Sequence, residues 1–135
     1  MLKNRTGVVG LKNGLYALHN GQEFKLVEMS DGDYELISND SNDISLGFSF
    51  YKEDVYTKKV LKYELDEVYI IDTFALYYEV KFKVDSEKDG HVLLGTSQSQ
   101  MAENLGFERT DKYLYEKWVN IADVQLFEEK KLYTI

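Results

Sequence analysis

Short stretches in which apolar and polar residues alternate recur along this chain. Two of them are "QEFKLVEM" at 22–29 and "YLYEKWV" at 113–119. A period of two is typical of strands that bury one face. Dipeptides that readily adopt positive φ angles, such as Asn20-Gly21 and Asp89-Gly90, separate these stretches. The pattern therefore predicts a mainly β fold of short strands.

The sequence contains this arrangement twice. Residues 14–38 align with 72–96 without a gap, and 46–60 align with 105–119 after one further residue of offset. Across the two blocks, 13 of 40 aligned positions are identical. We infer an internal duplication of a β-rich unit of about 58 residues, which is the offset of the first block.

The duplication sets the predicted domain boundaries. Residues 1–13 form an N-terminal lead-in, 14–71 the first β repeat and 72–135 the second. No linker rich in Pro, Ser or Gly separates the repeats, so we expect them to pack as one rigid body.

The first turn differs in chemistry between the repeats. Asn20-Gly21 suits a two-residue type I′ hairpin, which places Ala17 opposite Phe24. The equivalent dipeptide, Tyr78-Glu79, is costly in the left-handed region of backbone conformation. We therefore expect a bulge or a longer loop at that turn in the second repeat.

The connection after the third strand also differs between the repeats. "NDSNDIS" at 39–45 predicts a polar loop. "SQSQMAEN" at 97–104 offers Ser as an N-cap and precedes Gly106 as a C′ residue, which predicts at most one short helix near 98–105. Both connections end at Leu-Gly-Phe. We expect Gly to permit a corner there and Leu and Phe to anchor that corner in the core.

Five or six short strands per repeat, with a tight turn before the last one, resemble the small barrels of the Src-homology-3 (SH3) and Tudor type in topology. The resemblance implies two SH3-like barrels packed together. A single intertwined sheet or sandwich built from both repeats gives the same pattern. In such barrels aromatic residues near strand ends commonly bind peptides or methylated side chains. The aromatic residues on or beside the repeated strands are Tyr51, Tyr56, Tyr113, Tyr115 and Trp118.

Composition limits the classes of function. The 135 residues suffice for one ordinary domain or two very small ones. The absence of Cys excludes disulfides, thiolate nucleophiles and thiolate metal sites. The sequence has no signal-peptide-like segment and no apolar run of membrane-spanning length. We therefore expect a cytoplasmic protein that does not bind membranes.

The charge balance bears on the partner. Twenty-four acidic residues against 16 basic ones give a net charge of −8. Nucleic-acid binding normally requires clustered Lys and Arg, so this balance argues against a nucleic-acid partner. A protein partner with a basic surface is favoured. Net negative charge also keeps a small protein soluble without any partner being involved.

No motif indicates catalysis, a cofactor or a metal site. His19 and His91 lack the spacing of metal ligands. Carboxylate pairs such as Asp66 and Glu67 lie in predicted turns, where solvent surrounds them. "GVVGLKNG" at 7–14 lacks the Lys-Ser/Thr ending of a phosphate-binding loop. We therefore expect no cofactor, no metal and no enzymatic activity.

Positions at which the repeats differ are the candidates for partner binding, because each repeat can vary only where packing does not hold it. The candidates in the first repeat are Asp33, Asp40, Asp43, Glu53 and Asp54. The candidates in the second repeat are Glu103, Arg109 and Trp118.

By size, acidity and lack of Cys, the chain resembles the small acidic immunity proteins of bacterial polymorphic toxin systems. That resemblance implies a non-enzymatic cytoplasmic protein-binding protein whose acidic face neutralises a cognate basic toxin. The alternative is a structural or assembly module that forms homodimers or larger homo-oligomers through exposed strand edges.

Overall fold

The computed structural model describes residues 11–135, and this part of the chain is mainly β, as the alternating pattern predicts. The strands are β1 (Gly14–His19), β2 (Gln22–Glu28), β3 (Tyr34–Ser38), β4 (Ser49–Lys52), β5 (Val55–Val60), β6 (Glu67–Tyr77), β7 (Val80–Lys88), β8 (His91–Thr96), β9 (Glu108–Asp111), β10 (Leu114–Asn120) and β11 (Gln125–Leu132). The helical segments are α1 (Ser99–Asn104) and the 3₁₀ segments Ser41–Leu46, Lys62–Glu64 and Ile121–Asp123. No helix among these residues is long and apolar enough to cross a membrane. Most of the predicted lead-in, residues 1–10, lies outside the described part of the chain.

The chain divides into two compact units. The first unit comprises Gly14–Ile71 and Lys130–Ile135. The second unit comprises Asp72–Glu129 and, among the described residues before Gly14, residues 11–13. Strand β6 contributes to both units, because its first half pairs with β1 and its second half pairs with β7.

In the first unit the hydrogen-bonded strand order is β4-β5-β3-β2-β1-β6, and all of these pairings are antiparallel. Asn20-Gly21 forms the predicted two-residue turn with φ angles of 53° and 80°, and Ala17 lies opposite Phe24. Residues two apart on a strand share a face, so this face supplies a buried core. Its members are Ala17, Phe24, Leu26, Leu36, Phe48 and Val60.

In the second unit the strand order is β6-β7-β8-β10-β9, again antiparallel throughout. Ala75 lies opposite Phe82, as Ala17 lies opposite Phe24 in the first unit. The buried core contains Ala75, Tyr77, Phe82, Val84, Val92, Leu94, Ala102, Phe107 and Val119. The two units therefore have the same strand order and an equivalent Ala–Phe pair.

The prediction of a bulge or longer loop at Tyr78-Glu79 is wrong. Tyr77 pairs directly with Val80, so the turn has two residues, and Tyr78 and Glu79 have φ angles of 50° and 62°. Both therefore occupy the left-handed region without being Gly, Asn or Asp. The neighbouring rings help to hold this geometry, since Tyr77 and Tyr78 meet edge to face at 4.7 Å between centroids.

The two connections before the Leu-Gly-Phe corners are both helical. Helix α1 confirms the short helix predicted near 98–105, although its N-cap is Gln98, which makes no side-chain capping bond. The predicted polar loop at 39–45 is wrong, because Ser41–Leu46 forms a 3₁₀ helix. Asp40 stabilises that helix by accepting a hydrogen bond from the Asn42 amide.

The Leu-Gly-Phe corners match their prediction in part. Gly47 and Gly106 have φ angles of 96° and 81°, which supports the role of Gly in the bend, and both Phe side chains are buried. Leu46, however, is 44% exposed, so its predicted role as a core anchor is wrong. Its equivalent, Leu105, packs against the core of the second unit.

Candidate functional site

The acidic candidates of the first unit lie at opposite ends of β3. Asp40, Asp43 and Asp54 lie near its carboxyl end, where the Asn39 side chain donates to the Asp54 carbonyl at 2.7 Å. Asp33 immediately precedes its amino end and forms an exposed ion pair with Lys59 at 3.5 Å. An exposed pair of this kind contributes little to stability. The first unit therefore does not gather these carboxylates into one face.

Two of these carboxylates have structural tasks. Asp40 accepts the capping hydrogen bond from Asn42 at 2.9 Å. Asp43 accepts a hydrogen bond of 2.5 Å from the hydroxyl of Ser38, which is buried. Glu53 is exposed in the turn between β4 and β5. Reversing the charge of Asp40 or Asp43 would therefore disturb the fold as well as any binding surface.

The three candidates of the second unit also have different structural roles. Glu103 is exposed on α1. The guanidinium of Arg109 donates to the backbone carbonyls of Asp111 and Lys112 at 3.3 and 3.0 Å, which orders the turn between β9 and β10. Trp118, which is 47% exposed, lines a concave surface.

That concave surface is a groove of about 470 Å³ on the solvent face of β8, β10 and β9. We call it the Trp118 groove. Residues two apart share a strand face, so Glu116 lies on the same side of β10 as Trp118, and Glu108 shares a side with Thr110 on β9. The lining residues are Leu93, Gly106, Glu108, Thr110, Glu116, Lys117 and Trp118.

Two carboxylates face each other across this groove. Glu116 lies opposite Glu108 in the pairing of β10 with β9. Like charges in directly opposite positions are unfavourable, so a cation between them would be stabilised. The Thr110 hydroxyl donates to the Glu116 carboxylate at 2.7 Å, which draws that carboxylate over β9. Trp118 and Leu93, which lie opposite each other on β10 and β8, supply the apolar part of the groove.

A third carboxylate lies beside the groove. Asp85 is the extra residue of a β-bulge in β7, because the pairing with β8 passes from Val84 to Ser86. Its carboxylate lies over Gly95, the residue opposite Glu116. Burial raises the pKa of Asp85, Lys83 opposes the shift, and Glu116 adds to it. The solvent face around the groove is therefore strongly acidic.

The equivalent face of the first unit has different chemistry. At the positions of Glu108, Glu116 and Trp118 the first unit has Ser49, Thr57 and Lys59. The Trp118 groove is thus a place where two units of the same strand order differ in charge and in aromatic content.

The equivalent lysines Lys58 and Lys117 make a second, repeated network. Lys117 donates to the Leu105 carbonyl and to the Tyr77 hydroxyl, both at 2.9 Å. Lys58 donates to the Leu46 carbonyl at 2.9 Å. Each lysine therefore stabilises the Leu-Gly-Phe corner of its own unit by a hydrogen bond to the Leu carbonyl.

His19 completes the network in the first unit. Its Nδ1 lies 3.0 Å from the Glu64 carbonyl and its Nε2 lies 3.0 Å from the Lys58 ammonium. With Nδ1 as the donor to this carbonyl, Nε2 is placed to accept from the Lys58 ammonium. His91 instead contacts the Asp89 carbonyl in a turn. No group of three or more potential ligand side chains within residues 11–135 is arranged to hold a metal ion.

Of the residues at the groove, Trp118 was a partner-binding candidate from the sequence, whereas Glu108, Glu116 and Asp85 were not. The spacing Glu116-x-Trp118 places two groove residues on one strand face, and that signal was available in the sequence. The pairing of Glu108 with Glu116 was not, because it follows a register shift between Leu114 and Tyr115.

Comparisons with known proteins identify one matching family model. No curated protein and no solved structure matches the chain. A family model described as "Uncharacterised conserved protein UCP033725" matches residues 11–135, which is the whole described part of the chain. The chain belongs to this family of uncharacterised conserved proteins, UCP033725.

Proposed function

We propose that this protein is a non-enzymatic binding protein that captures a basic segment of a protein partner in the Trp118 groove. The observation that carries the proposal is the combination of an exposed Trp with two opposed carboxylates, Glu108 and Glu116. The first unit has Ser49, Thr57 and Lys59 at these positions, so packing of this kind of unit does not require the groove residues.

The chemistry of the groove suits a lysine or arginine side chain. The aliphatic stem of such a residue packs on the Trp118 ring, while its charge lies between the two carboxylates. Trp is among the residues that most often dominate binding energy at interfaces. The net charge of −8 additionally attracts a basic partner from a distance.

The fluorescence of Trp118 reports whether the groove is occupied, because Trp118 is the single Trp of the chain. A peptide of alternating Lys and Ser should change the Trp118 fluorescence as it binds. The double variant E108S/E116T, which installs the residues of the first unit, should weaken this peptide about tenfold or more, because two charge-assisted contacts are lost.

The matched control is E53Q/E67Q, which removes two exposed carboxylates elsewhere and changes the net charge by the same amount. We expect this control to change the affinity by less than about twofold, because exposed charges remote from a contact act weakly. Equal losses in the two double variants would contradict the proposal, since overall charge would then explain the binding.

The immunity-protein role is a narrower form of this proposal. In it the basic segment belongs to a bacterial toxin domain, and both proteins meet in the cytoplasm. Complementary charge would hasten that association. A toxin reading frame next to the gene, whose product binds the wild-type chain and not E108S/E116T, would support this form.

A second candidate function is homo-oligomerisation through a strand edge. Strand β4 is the outermost described strand of the first unit, and its Phe50 and Tyr51 are 65% and 67% exposed. An edge strand that exposes large apolar side chains is a template for pairing with another chain.

A further inference from the structure

Strand β9 borders the Trp118 groove and is the outermost described strand of the second unit. All four of its residues are exposed. Its inner edge pairs with β10, and no strand within residues 11–135 pairs with its outer edge. An unpaired edge can accept an extended peptide, whose backbone then provides affinity while alternate side chains provide specificity.

Side chains of an added strand would meet the groove in a defined order. Glu108 and Thr110 lie on the groove face of β9, so residues opposite them would project onto the same face. The Glu116 carboxylate is drawn towards β9 by its 2.7 Å hydrogen bond from Thr110. A long cationic side chain opposite Thr110 or Glu108 therefore has a carboxylate within reach.

Gly106 lies just beyond the amino end of β9, in a turn where its φ angle is 81°, and it has no side chain. Trp118 follows Glu116, the partner of Glu108, by two residues, and both Trp118 and Gly106 line the groove. A peptide side chain two residues beyond the one opposite Glu108 would extend past the end of β9 and over Gly106, towards the Trp118 ring. An apolar side chain suits that contact.

We propose that the partner binds as an additional strand on β9, with the residue pattern Lys-x-Lys-x-apolar in the antiparallel direction. Its two lysines lie opposite Thr110 and Glu108, and its apolar residue extends past the amino end of β9, over Gly106 and against Trp118. Charge complementarity selects β9 over the equivalent edge β4, which has Ser49 and Tyr51 at the corresponding positions. This inference rests on the proposed function and specifies how the groove is occupied.

The test uses the full chain and the acetylated, amidated peptide Lys-Ser-Lys-Ser-Leu, followed by Trp118 fluorescence. Two N-methylated forms remove backbone N–H donors from alternate residues, either from both Ser or from both Lys and Leu. In an added strand one of these sets points at β9 and the other points away. We expect one form to bind about tenfold more weakly and the other to bind like the parent, because only one set donates to β9.

The block peptide Lys-Lys-Ser-Ser-Leu has the same composition without the alternation. It should bind about tenfold more weakly, because one of its lysines would project away from the groove. Equal binding of both N-methylated forms and the parent, or of the block and alternating peptides, would overturn strand addition. The proposed function would survive that result if E108S/E116T still weakened the parent peptide. Absence of any fluorescence change up to about 5 mM peptide would overturn both proposals.

Discussion

The carboxylate of Asp85 occupies the space that a side chain at position 95 would need. A β-carbon built on Gly95 would lie 2.7 Å from the Asp85 carboxylate, so residue 95 must be Gly while Asp85 keeps this position. The bulge in β7 puts the Asp85 carboxylate there, next to Glu116. Two adjacent carboxylates on a sheet face repel each other, so the position of Asp85 beside Glu116 is unfavourable for folding.

The substitution Asp85→Asn should stabilise the protein at neutral pH. Because the pKa of Asp85 is raised in the folded state, folding favours its protonated form. Its contribution to the free energy of unfolding is therefore favourable below the ordinary pKa of 3.8 and is lost as the pH rises through the raised pKa. Urea denaturation across this range should show that Asp85→Asn is more stable than the wild type at neutral pH.

The difference between the two proteins should shrink towards zero below pH 3.8. Asp66→Asn, at an exposed position of the first unit, should show no such pH-dependent gain. A stability difference for Asp85→Asn that did not vary with pH would contradict the assignment of the effect to this carboxylate.

At the turn Tyr78-Glu79, the pairing of the two flanking strands sets the backbone conformation of the turn residues. The two strands that it joins need a two-residue turn, because Ala75 must lie opposite Phe82 to form the core pair. The pairing of the strands therefore forces both turn residues to positive φ angles. The sequence predicted a bulge or a longer loop because local preference and strand pairing disagree here, and the pairing prevails.

Replacing Tyr78-Glu79 with Asn-Gly should raise the free energy of unfolding by about 1–3 kcal/mol, because the left-handed conformation costs these residues little. Chemical denaturation would measure the gain. The reciprocal change, Asn20-Gly21→Tyr-Glu, should lower the stability of the first unit by a similar amount.

Loss of stability in the Asn-Gly variant would show that the edge-to-face contact between Tyr77 and Tyr78 outweighs the backbone strain. The reciprocal variant acts as the matched control, since it places the same two residues in the equivalent turn without a Tyr at position 19.

At the scale of elements, the strands and the Asn20-Gly21 turn were predictable, whereas the Tyr78-Glu79 turn and the bulges were not. Alternation and the Asn20-Gly21 signal depend on neighbouring residues, so the sequence contains them. The bulge at Asp85 depends on partners that are distant in the chain. That bulge, with the register shift at Leu114, determines which carboxylates meet beside Trp118.

At the scale of the whole molecule, the two proposals predict different assembly states. A groove that captures a partner predicts a monomer, and pairing through β4 predicts a dimer. Sedimentation velocity over a range of concentrations separates these outcomes. If a dimer forms, the variant F50K/Y51K should dissociate it, because charges on an edge strand oppose pairing.

The matched control for that experiment is Tyr113→Lys, which changes a side chain that is 72% exposed in a turn of the second unit. A dimer that survives F50K/Y51K would exclude the β4 edge as its interface. A monomer at all concentrations would remove homo-oligomerisation as the function.

The two units differ from the predicted repeats, 14–71 and 72–135, at two short segments, since residues 11–13 belong to the second unit and residues 130–135 to the first. Residues 130–135 belong to the first unit, where the Tyr133 amide donates to the Val68 carbonyl at 3.0 Å. A repeat boundary compares residues along the chain, whereas a structural unit depends on contacts in space. Alignment of the repeats therefore could not predict that residues 130–135 belong to the first unit.

Because residues 130–135 belong to the first unit, they affect the order in which the two units can finish folding on the ribosome. Residues 14–71 are synthesised before Asp72–Glu129, the main segment of the second unit, yet their unit also needs Lys130–Ile135, which follow the whole of Asp72–Glu129 in the chain. The unit whose main segment is translated first is therefore completed last. During synthesis the Val68 carbonyl of β6 cannot accept its hydrogen bond from the Tyr133 amide until Asp72–Glu129 has left the exit tunnel.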